Sequence, residues 1–319
     1  MTDVAERITS GLDPYTDARD VVRGQDLSGR TLIVTGGATG IGIETARALA
    51  EAGAQVVLAV RNLEPGRAAA ADIGHGVTVE ALDLSSLASV RDFAARWGGR
   101  PLHGLINNAG VMACPQSYTQ DGLEMQIGTN HFGHFLLSVL LLPALTAGST
   151  PERKARIVAL SSIGHLRSPV VFDDIHYRRR PYDKWEAYGQ SKSANALFAV
   201  GWQARHGGVV TANSVMPGGI FTPLQRHLPR EEQIAMGWMD ADGTPAPGFK
   251  TPAQGASTSV WAAVGPELEG VGGRYLENLA QAPPYAPAVR FVGVRADHAL
   301  DPAQADRLWS VSAETVGAG

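Results

Sequence analysis

The sequence predicts an α/β protein, with one domain built on a doubly wound, parallel, Rossmann-like sheet. Short apolar runs of strand length alternate with longer amphipathic stretches of helix length, which is typical of a parallel sheet covered on both faces. A glycine cluster directly follows the first apolar run. Glycine is abundant overall, with 37 of 319 residues, which indicates tight turns or backbone that must approach a ligand closely.

The predicted elements follow from the periodicity of apolar residues along the chain. Residues 1–28 show no steady period and predict an N-terminal arm with one short helix. Residues 29–319 predict the domain itself, in which 218–251 is rich in proline and glycine and predicts a substrate lid. The predicted strands are 31–34, 56–60, 77–82, 104–107, 156–160 and 211–215, and the predicted helices are 41–52, 86–97, 123–145 and 188–205.

The composition excludes several classes of function. Lys and Arg number 27 against 31 Asp and Glu, so the net charge of −4 offers no broad basic surface for nucleic acid. The single cysteine, Cys114, excludes an internal disulfide and favours a cytoplasmic setting. The first 20 residues lack the apolar core of a signal peptide, and the longest apolar run, 135–145, is too short to span a bilayer. We therefore expect a cytoplasmic protein with neither nucleic acid nor membrane as a partner.

Residues 35–42 read Thr-Gly-Gly-Ala-Thr-Gly-Ile-Gly and lie between the first strand and the first long helix. Such a turn brings bare backbone close to a pyrophosphate, and the helix N-terminus adds free N–H groups and a partial positive charge. The spacing differs from the common Gly-x-Gly-x-x-Gly, and an ordinary strand–helix turn is the alternative. We predict a dinucleotide site with contacts from Gly36, Thr39, Gly40, Ile41 and Gly42.

The choice between NAD and NADP should be decided at the end of the second strand. A carboxylate there would hold the ribose 2′-hydroxyl of NAD, but the sequence has Arg61, whose planar guanidinium suits the 2′-phosphate of NADP. A solvated surface arginine is the alternative, so we predict NADP(H), with NAD(H) left open. Asp83 and Leu84 follow the third strand and are predicted cofactor contacts, with Asp83 accepting from the adenine amino group or instead capping the next helix.

Tyr188 and Lys192 are four residues apart, so they share one face of the predicted helix. A phenol with a pKa of about 10 is a poor base at neutral pH. A neighbouring ammonium and the positive nicotinamide of an oxidised cofactor favour the phenolate. We therefore expect Tyr188 to act as general acid in carbonyl reduction and general base in alcohol oxidation, with Lys192 lowering its pKa. A solvated helix face is the alternative for this pair taken alone.

A hydroxyl donor is also needed at the substrate oxygen, where negative charge develops during hydride transfer. The predicted strand 156–160 ends in Ser161 and Ser162. Both serines are therefore delivered to the carboxyl edge of the sheet, where ligands bind in open α/β folds.

Several motifs occur together in an order typical of one family. They are residues 35–42, Asn-Asn-Ala-Gly at 107–110, Asn130, the Ser161-Ser162 pair, Tyr188 to Lys192, and Pro217-Gly218 with Thr222. Over about 29–290 the sequence resembles the short-chain dehydrogenase/reductase family. The segments 129–137 and 188–198 resemble its retinol dehydrogenase-like branch.

The resemblance implies roles that the residues alone leave open. It implies that Ser162 rather than Ser161 polarises the substrate, that Lys192 holds the ribose hydroxyls of the nicotinamide, and that Asn130 shapes a water-linked proton path to the lysine. It also implies a homodimer or homotetramer, because the helix that carries Leu136, Leu137, Leu140 and Leu141 often packs against a partner in this family. Its further cofactor contacts are Asn108, Ala109, Gly110, Tyr188, Lys192, Pro217, Gly218, Ile220 and Thr222.

The predicted function is that of an NADP(H)-dependent oxidoreductase, which transfers a hydride between nicotinamide and the carbonyl or alcohol of a hydrophobic small molecule. The alternatives are reduction of an activated carbon–carbon double bond and a regulatory protein that binds NADP without turnover. The lid carries apolar side chains that suit such a substrate, although a closing lid must also pack its own apolar face. These side chains are Phe221, Ile234, Met236, Trp238, Met239 and Phe249.

Three further features have simpler interpretations. His131 and His134 lie three residues apart on a predicted helix without a second ligand pair, so we interpret them as packing residues and predict no metal site. The basic run 178–180 is interpreted as a solvated loop near the entrance of the site, with steering of an anionic substrate as the alternative. Cys114 could line the substrate pocket.

Overall fold

A computed structural model describes residues 7–285 and 294–318. The strands are β1 Thr31–Thr35, β2 Gln55–Val60, β3 Thr78–Ala81, β4 Gly104–Asn107, β5 Ala155–Leu160, β6 Val210–Met216, β7 Gly219–Ile220, β8 Phe249–Lys250, β9 Tyr275–Glu277 and β10 Ala280–Gln281. The α-helices are α1 Ala18–Val21, α2 Gly40–Glu51, α3 Leu63–Ile73, α4 Leu87–Trp97, α5 Met125–Ile127, α6 Gly133–Leu140, α7 Leu142–Ala147, α8 Lys184–His206, α9 Arg230–Ala235, α10 Pro252–Val264 and α11 Pro302–Val316.

Eight strands form one central sheet in the spatial order β10-β9-β6-β5-β4-β1-β2-β3. All of its neighbouring strands are parallel except β10, which runs antiparallel to β9. The order reverses between β1 and β4, and in open α/β sheets the crevice at such a reversal is where ligands bind. The predicted fold class is confirmed, and the six predicted strands all form.

The structure adds elements that the apolar pattern did not predict, among them α3, α10, α11 and, at one end of the sheet, strands β9 and β10. Helix α3 was missed because Pro65 and Gly66 lie in its first turns. Gly66 is required by packing, since a Cβ at this position would lie 2.7 Å from side-chain atoms of both Val60 and Val79.

The predicted helix 123–145 is wrong as a single element. It is divided into α5, a π-helical turn over Gly128–Phe132, α6 and α7. The π-turn inserts an extra residue and coincides with the hydrogen bonds that Asn130 makes to the neighbouring chain segment. Pro143 is the second residue of α7, where a residue without an N–H fits because it lies in the first turn and not in the interior of the helix.

The segment 7–30 packs closely on the domain. Ala18 and Val21 of α1 are buried in the same apolar cluster as β1 and α2, and Thr9 forms an antiparallel bridge to Ala280 in the edge strand. The ends of the segment 218–251 are held together, because β7 pairs with β8 in parallel and Phe221 stacks on Phe249 with ring centres 4.7 Å apart.

Helix α11 covers the outer flank of α6 and α8. The Trp309 ring lies 4.9 Å from Phe135 and 6.5 Å from Phe198, measured between ring centres. Leu136 and Leu137 are fully buried and Leu141 nearly so, which places these side chains in the core, whereas Leu140 is only partly buried. A second copy docking on this flank would meet α11 rather than α6 and α8, and the predicted oligomer stays a prediction. No helix among the described residues combines the length and apolar character needed to cross a membrane.

Candidate active site

A cavity of about 510 Å³ opens at the carboxyl edge of the sheet, between the glycine loop, the ends of β4, β5 and β6, helix α8 and the lid. This volume is within the range of small-molecule sites. The residues of the predicted site that line the cavity are Gly36, Thr39, Gly40, Ile41, Gly42, Asn108, Ala109, Gly110, Ser162, Tyr188, Lys192, Pro217, Gly218, Ile220 and Thr222.

The glycine loop fits a dinucleotide pyrophosphate. Gly36 leaves β1 with φ +65°, and a Cβ on Gly42 would lie 2.6 Å from both Asn108 Nδ2 and the carbonyl oxygen of Gly36. Helix α2 begins after Thr39, whose side chain does not cap it, and the first turn carries no acidic residue. The N–H groups at this helix end therefore remain available for an anion in the cavity.

The segment after β4 is tied to the end of β1. Thr35 Oγ1 accepts hydrogen bonds from the backbone N–H groups of Asn108 at 2.9 Å and Ala109 at 3.0 Å, and Asn108 Nδ2 donates to the Thr35 carbonyl at 2.7 Å. A Cβ at Gly110 would lie 3.1 Å from Asn130 Oδ1 and 3.8 Å from Lys192 Nζ. Because Gly110 has no side chain, the segment after β4 can approach both Asn130 and Lys192 of α8.

Tyr188, Ser162 and Lys192 meet in the inner cavity. The buried phenol of Tyr188 is hydrogen-bonded to the Ser162 side chain, and Ser162 Oγ accepts from the N–H of Gly164 at 3.1 Å. Lys192 Nζ lies 5.5 Å from the centre of the Tyr188 ring and donates to the Leu160 carbonyl at 3.0 Å. The hydroxyl of Ser161 instead donates to the Lys192 carbonyl at 2.9 Å. Ser162 is therefore the serine whose hydroxyl stands beside the phenol.

Burial controls the protonation of both groups on α8. It raises the pKa of Tyr188 to about 12, and the hydrogen bond to Ser162 opposes this only in part. It lowers the pKa of Lys192 to about 8, because the ammonium is removed from water. The expected lowering of the phenol pKa is therefore not the outcome within the folded chain, where desolvation is the larger effect.

Asn130 lies behind the cavity wall. Its Oδ1 accepts from the Val111 N–H at 2.8 Å, and its Nδ2 donates to the Val111 carbonyl and to Ser191 Oγ, both at 2.9 Å. Ser191 Oγ in turn donates to the Tyr188 carbonyl at 2.8 Å. The asparagine side chain thus connects the segment after β4 with helix α8.

Three predicted cofactor contacts, Arg61, Asp83 and Leu84, lie outside the cavity wall that the described residues form. Arg61 is exposed just after β2. Asp83 Oδ1 accepts from the N–H of Ser85 at 2.9 Å, and α4 is capped by Ser86 rather than by Asp83, so the capping alternative is wrong. Leu84 is buried in the core because its backbone packs against Gly133.

The outer cavity is largely aromatic. Trp185 lies 6.3 Å from Tyr188 and 5.8 Å from Trp238, measured between ring centres. Met236, Trp238 and Phe249 of the predicted lid line the cavity, whereas Phe221, Ile234 and Met239 are not among its lining residues. Sequence reasoning missed Trp185, although its position three residues before Tyr188 on the same helix was a usable signal.

Two arginines that sequence reasoning also missed, Arg167 and Arg226, line the cavity. The Arg167 guanidinium lies over the Trp185 ring, 5.3 Å from its centre. The basic run 178–180 is not part of the described cavity wall, and its three backbone N–H groups donate to the carboxylate of Asp174. Cys114 is buried outside that wall too, and burial raises the pKa of its thiol.

His131 and His134 are buried and hydrogen-bonded to protein groups. The Nε2 of His131 lies 2.8 Å from Ser312 Oγ on α11, and that of His134 lies 2.9 Å from Thr35 Oγ1. Burial lowers the pKa of His131 to about 3 and that of His134 to about 4. Within residues 7–285 and 294–318, no group of three potential ligands could hold a metal ion.

Comparison with known proteins agrees with this geometry. Residues 30–233 match the short chain dehydrogenase family, and the chain belongs to that family. It is 50% identical to a Streptomyces lividans protein described as a probable oxidoreductase, over 92% of this chain and all of that protein. It is 42% identical to human retinol dehydrogenase 13 over 91% of this chain and 86% of that one, which supports the resemblance to the retinol dehydrogenase-like branch.

A solved structure shares the fold. The Pseudomonas aeruginosa RhlG/NADP active-site complex is 26% identical, with a TM-score of 0.61 over 79% of this chain and 95% of that one.

Proposed function

We propose that the protein is an NADP(H)-dependent oxidoreductase acting on the carbonyl or alcohol of a hydrophobic small molecule. The observation that carries this proposal is the contact of the Tyr188 phenol with Ser162, one helical turn from Lys192, in a cavity that begins at the glycine loop. An acid, a hydroxyl donor and a cation are thereby placed around one point beside a helix N-terminus.

In the direction of reduction, Ser162 donates a hydrogen bond to the substrate oxygen and Tyr188 transfers its hydroxyl proton to that oxygen. In the direction of oxidation, the phenolate takes this proton back. Lys192 would hold the ribose hydroxyls of the cofactor, and its charge favours the phenolate. The cofactor, when bound, supplies the hydride in reduction and accepts it in oxidation. The aromatic outer cavity excludes water from the reacting atoms.

The preference for NADP over NAD rests on Arg61. Arg61 directly follows β2, and the N–H of Gly36 donates to the carbonyl of Ala59, two residues before Arg61, at 2.8 Å. The end of β2 that precedes Arg61 is therefore close in space to the start of the glycine loop, where the adenosine end of a dinucleotide lies in this fold class. The NADP complex of RhlG supports the same choice.

An apolar substrate is supported by the outer cavity wall, which includes Met112, Trp185, Leu224, Trp238 and Phe249. The name of retinol dehydrogenase 13 refers to an apolar alcohol, which agrees with such a wall. A cytoplasmic location remains part of the proposal.

The experiment is a turnover assay with NADPH and with NADH on a panel of bulky ketones and aldehydes, using the native protein and Tyr188→Phe. We expect turnover with NADPH and at least a hundredfold loss, roughly, in the variant. Cofactor binding without oxidation across the panel would instead support a regulatory protein. Products reduced at a carbon–carbon double bond would support the other alternative.

A further inference from the structure

His134 connects the two halves of the proposed active site. It is only 3% exposed, and it lies on α6 directly after the π-turn. Its Nδ1 is 2.9 Å from the carbonyl oxygen of Asn130, and its Nε2 is 2.9 Å from Thr35 Oγ1. Both ring nitrogens are therefore engaged by residues that stand directly behind the cavity wall.

The tautomer of this ring follows from its partners. A carbonyl oxygen only accepts hydrogen bonds, so Nδ1 must carry the hydrogen that is donated to Asn130. Burial keeps the ring neutral at physiological pH, because it lowers the pKa of His134 to about 4. Nε2 therefore accepts, and the Thr35 hydroxyl donates to it.

On the Nε2 side, this bond fixes the direction of the Thr35 hydroxyl. With its hydrogen directed at His134, Thr35 Oγ1 presents its lone pairs to the N–H groups of Asn108 and Ala109. Thr35 directly precedes Gly36, so the hydroxyl holds together the two loops that line the dinucleotide end of the cavity. In the other orientation it would donate to the Ile106 carbonyl, at the longer distance of 3.3 Å.

On the Nδ1 side, the histidine holds the backbone of the π-turn. The Asn130 side chain continues from there to Ser191, and Ser191 bonds to the carbonyl of Tyr188. Hydrogen bonds, joined through the covalent frame of Asn130, thus connect the start of the glycine loop to the catalytic helix.

We propose that His134 is a positioning residue that couples the dinucleotide loops to the catalytic helix. Its Nε2 side controls cofactor affinity through Thr35, and its Nδ1 side controls the alignment of Tyr188 and Lys192 through Asn130. This inference rests on the proposed function, since it assigns the cavity to a dinucleotide and the proton transfer to Tyr188.

Two substitutions separate the two sides of the ring. In His134→Asn, the amide nitrogen stands near the position of Nδ1, so the bond to Asn130 is kept and the bond to Thr35 is lost. In His134→Gln, the longer side chain places its amide oxygen at the position of Nε2. This oxygen can accept from the Thr35 hydroxyl, so the bond to Thr35 is kept and the bond to Asn130 is lost. Both variants remain neutral, as the native ring is.

The measurements are the Kd for NADPH by fluorescence titration and kcat for the best ketone of the panel. We expect His134→Asn to raise the Kd about tenfold while kcat stays within about threefold of native. We expect His134→Gln to lower kcat about tenfold while the Kd stays within about threefold. If His134 only stabilised the fold, neither variant would change the Kd for NADPH without changing kcat, or kcat without changing the Kd.

His131→Asn is the matched control, because the same substitution is made three residues away at an equally buried ring. It removes the bond to Ser312 on α11, so it should lower Tm but change neither the Kd nor kcat. The proposal is wrong if the His134 variants behave like this control, or if each of them changes the Kd and kcat in parallel.

Thr35 provides a second test if the histidine variants fail to fold. Thr35→Val removes the same hydrogen bond from the other partner and should also raise the Kd about tenfold, whereas Thr35→Ser keeps the hydroxyl and should retain native affinity. Native affinity in Thr35→Val would overturn the proposal. Failure of the native protein to bind NADPH would contradict the proposed function instead.

Discussion

Trp185 on α8 and Glu232 in the segment 218–251, the predicted lid, are joined by a hydrogen bond. The indole Nε1 donates to Glu232 Oε1 at 3.2 Å, and the Lys184 ammonium pairs with Oε2 of the same carboxylate at 2.6 Å. Since Trp185 lies three residues before Tyr188 on α8, the lid is attached less than one helical turn from the proposed acid.

Loss of this attachment should weaken substrate binding. We expect Glu232→Ala to raise KM for an apolar ketone about fivefold with a smaller change in kcat, because the lid then closes less often over the cavity. Limited proteolysis should cleave the segment 218–251 faster in this variant. The exposed neighbour Glu231 offers the control, Glu231→Ala. Equal KM values and equal cleavage rates in the two variants would contradict the role of Glu232.

Cofactor preference should respond to Arg61. We expect Arg61→Asp to lower kcat/KM for NADPH at least tenfold and to raise it for NADH, because a carboxylate repels the 2′-phosphate and accepts from the 2′-hydroxyl. Arg67→Asp makes the same charge change at an exposed site on α3 and should leave the ratio unchanged. An unaltered preference in Arg61→Asp would show that the 2′-phosphate is bound elsewhere.

The buried ammonium of Lys192 should reduce stability at neutral pH. Its pKa is lowered to about 8 in the folded chain, so the unfolded chain binds more protons and stability rises as the pH increases from about 8 towards the unfolded value of 10.5. Lys192→Met removes this penalty, which is at most on the order of 3 kcal/mol. We expect the variant to be inactive yet more stable than native in urea at pH 7, with a smaller difference at pH 10. A variant that is less stable by the same amount at both pH values would contradict the prediction.

Charge selection at the cavity mouth should depend on Arg167. The charged side chains that line the described cavity are Lys192, Arg167 and Arg226, all positive. We therefore expect 4-acetylbenzoate to be reduced with a kcat/KM several times that of its methyl ester, and the difference to disappear in Arg167→Met and at high salt. Arg178 stacks on Tyr118 outside the cavity wall, so Arg178→Met is the control. Equal rates for acid and ester in the native protein would refute this selection.

Much of the inner site could be predicted from the sequence, because its determinants are local. The residues of the glycine loop, the pair of serines after β5, and Tyr188 with Lys192 each lie within a few positions of one another, and all three segments line one cavity. Parallel strands bring their carboxyl ends to one edge, so the pattern of elements alone predicts that these segments meet.

The rest depends on contacts between distant parts of the chain. Strand β9 is only three residues long and is defined by its pairing with β6, which no local pattern reveals. The π-turn depends on Val111, which lies 19 residues before Asn130. Arg167 lines the cavity with its guanidinium over the Trp185 ring, a contact between residues 18 positions apart. Some apolar side chains of the lid line the cavity and others do not, and composition cannot specify which of them do.

Helix α11 has a consequence for the synthesis of the protein. It leaves the ribosome after α6 and α8, and until then Phe135 and Phe198 on the flank of these two helices have no cover from Trp309. A product that stops before Pro302 would carry a complete nucleotide cavity and a bare aromatic flank, and exposed surface of this kind favours aggregation. The persistence of the protein in the cell therefore depends on synthesis that continues through α11.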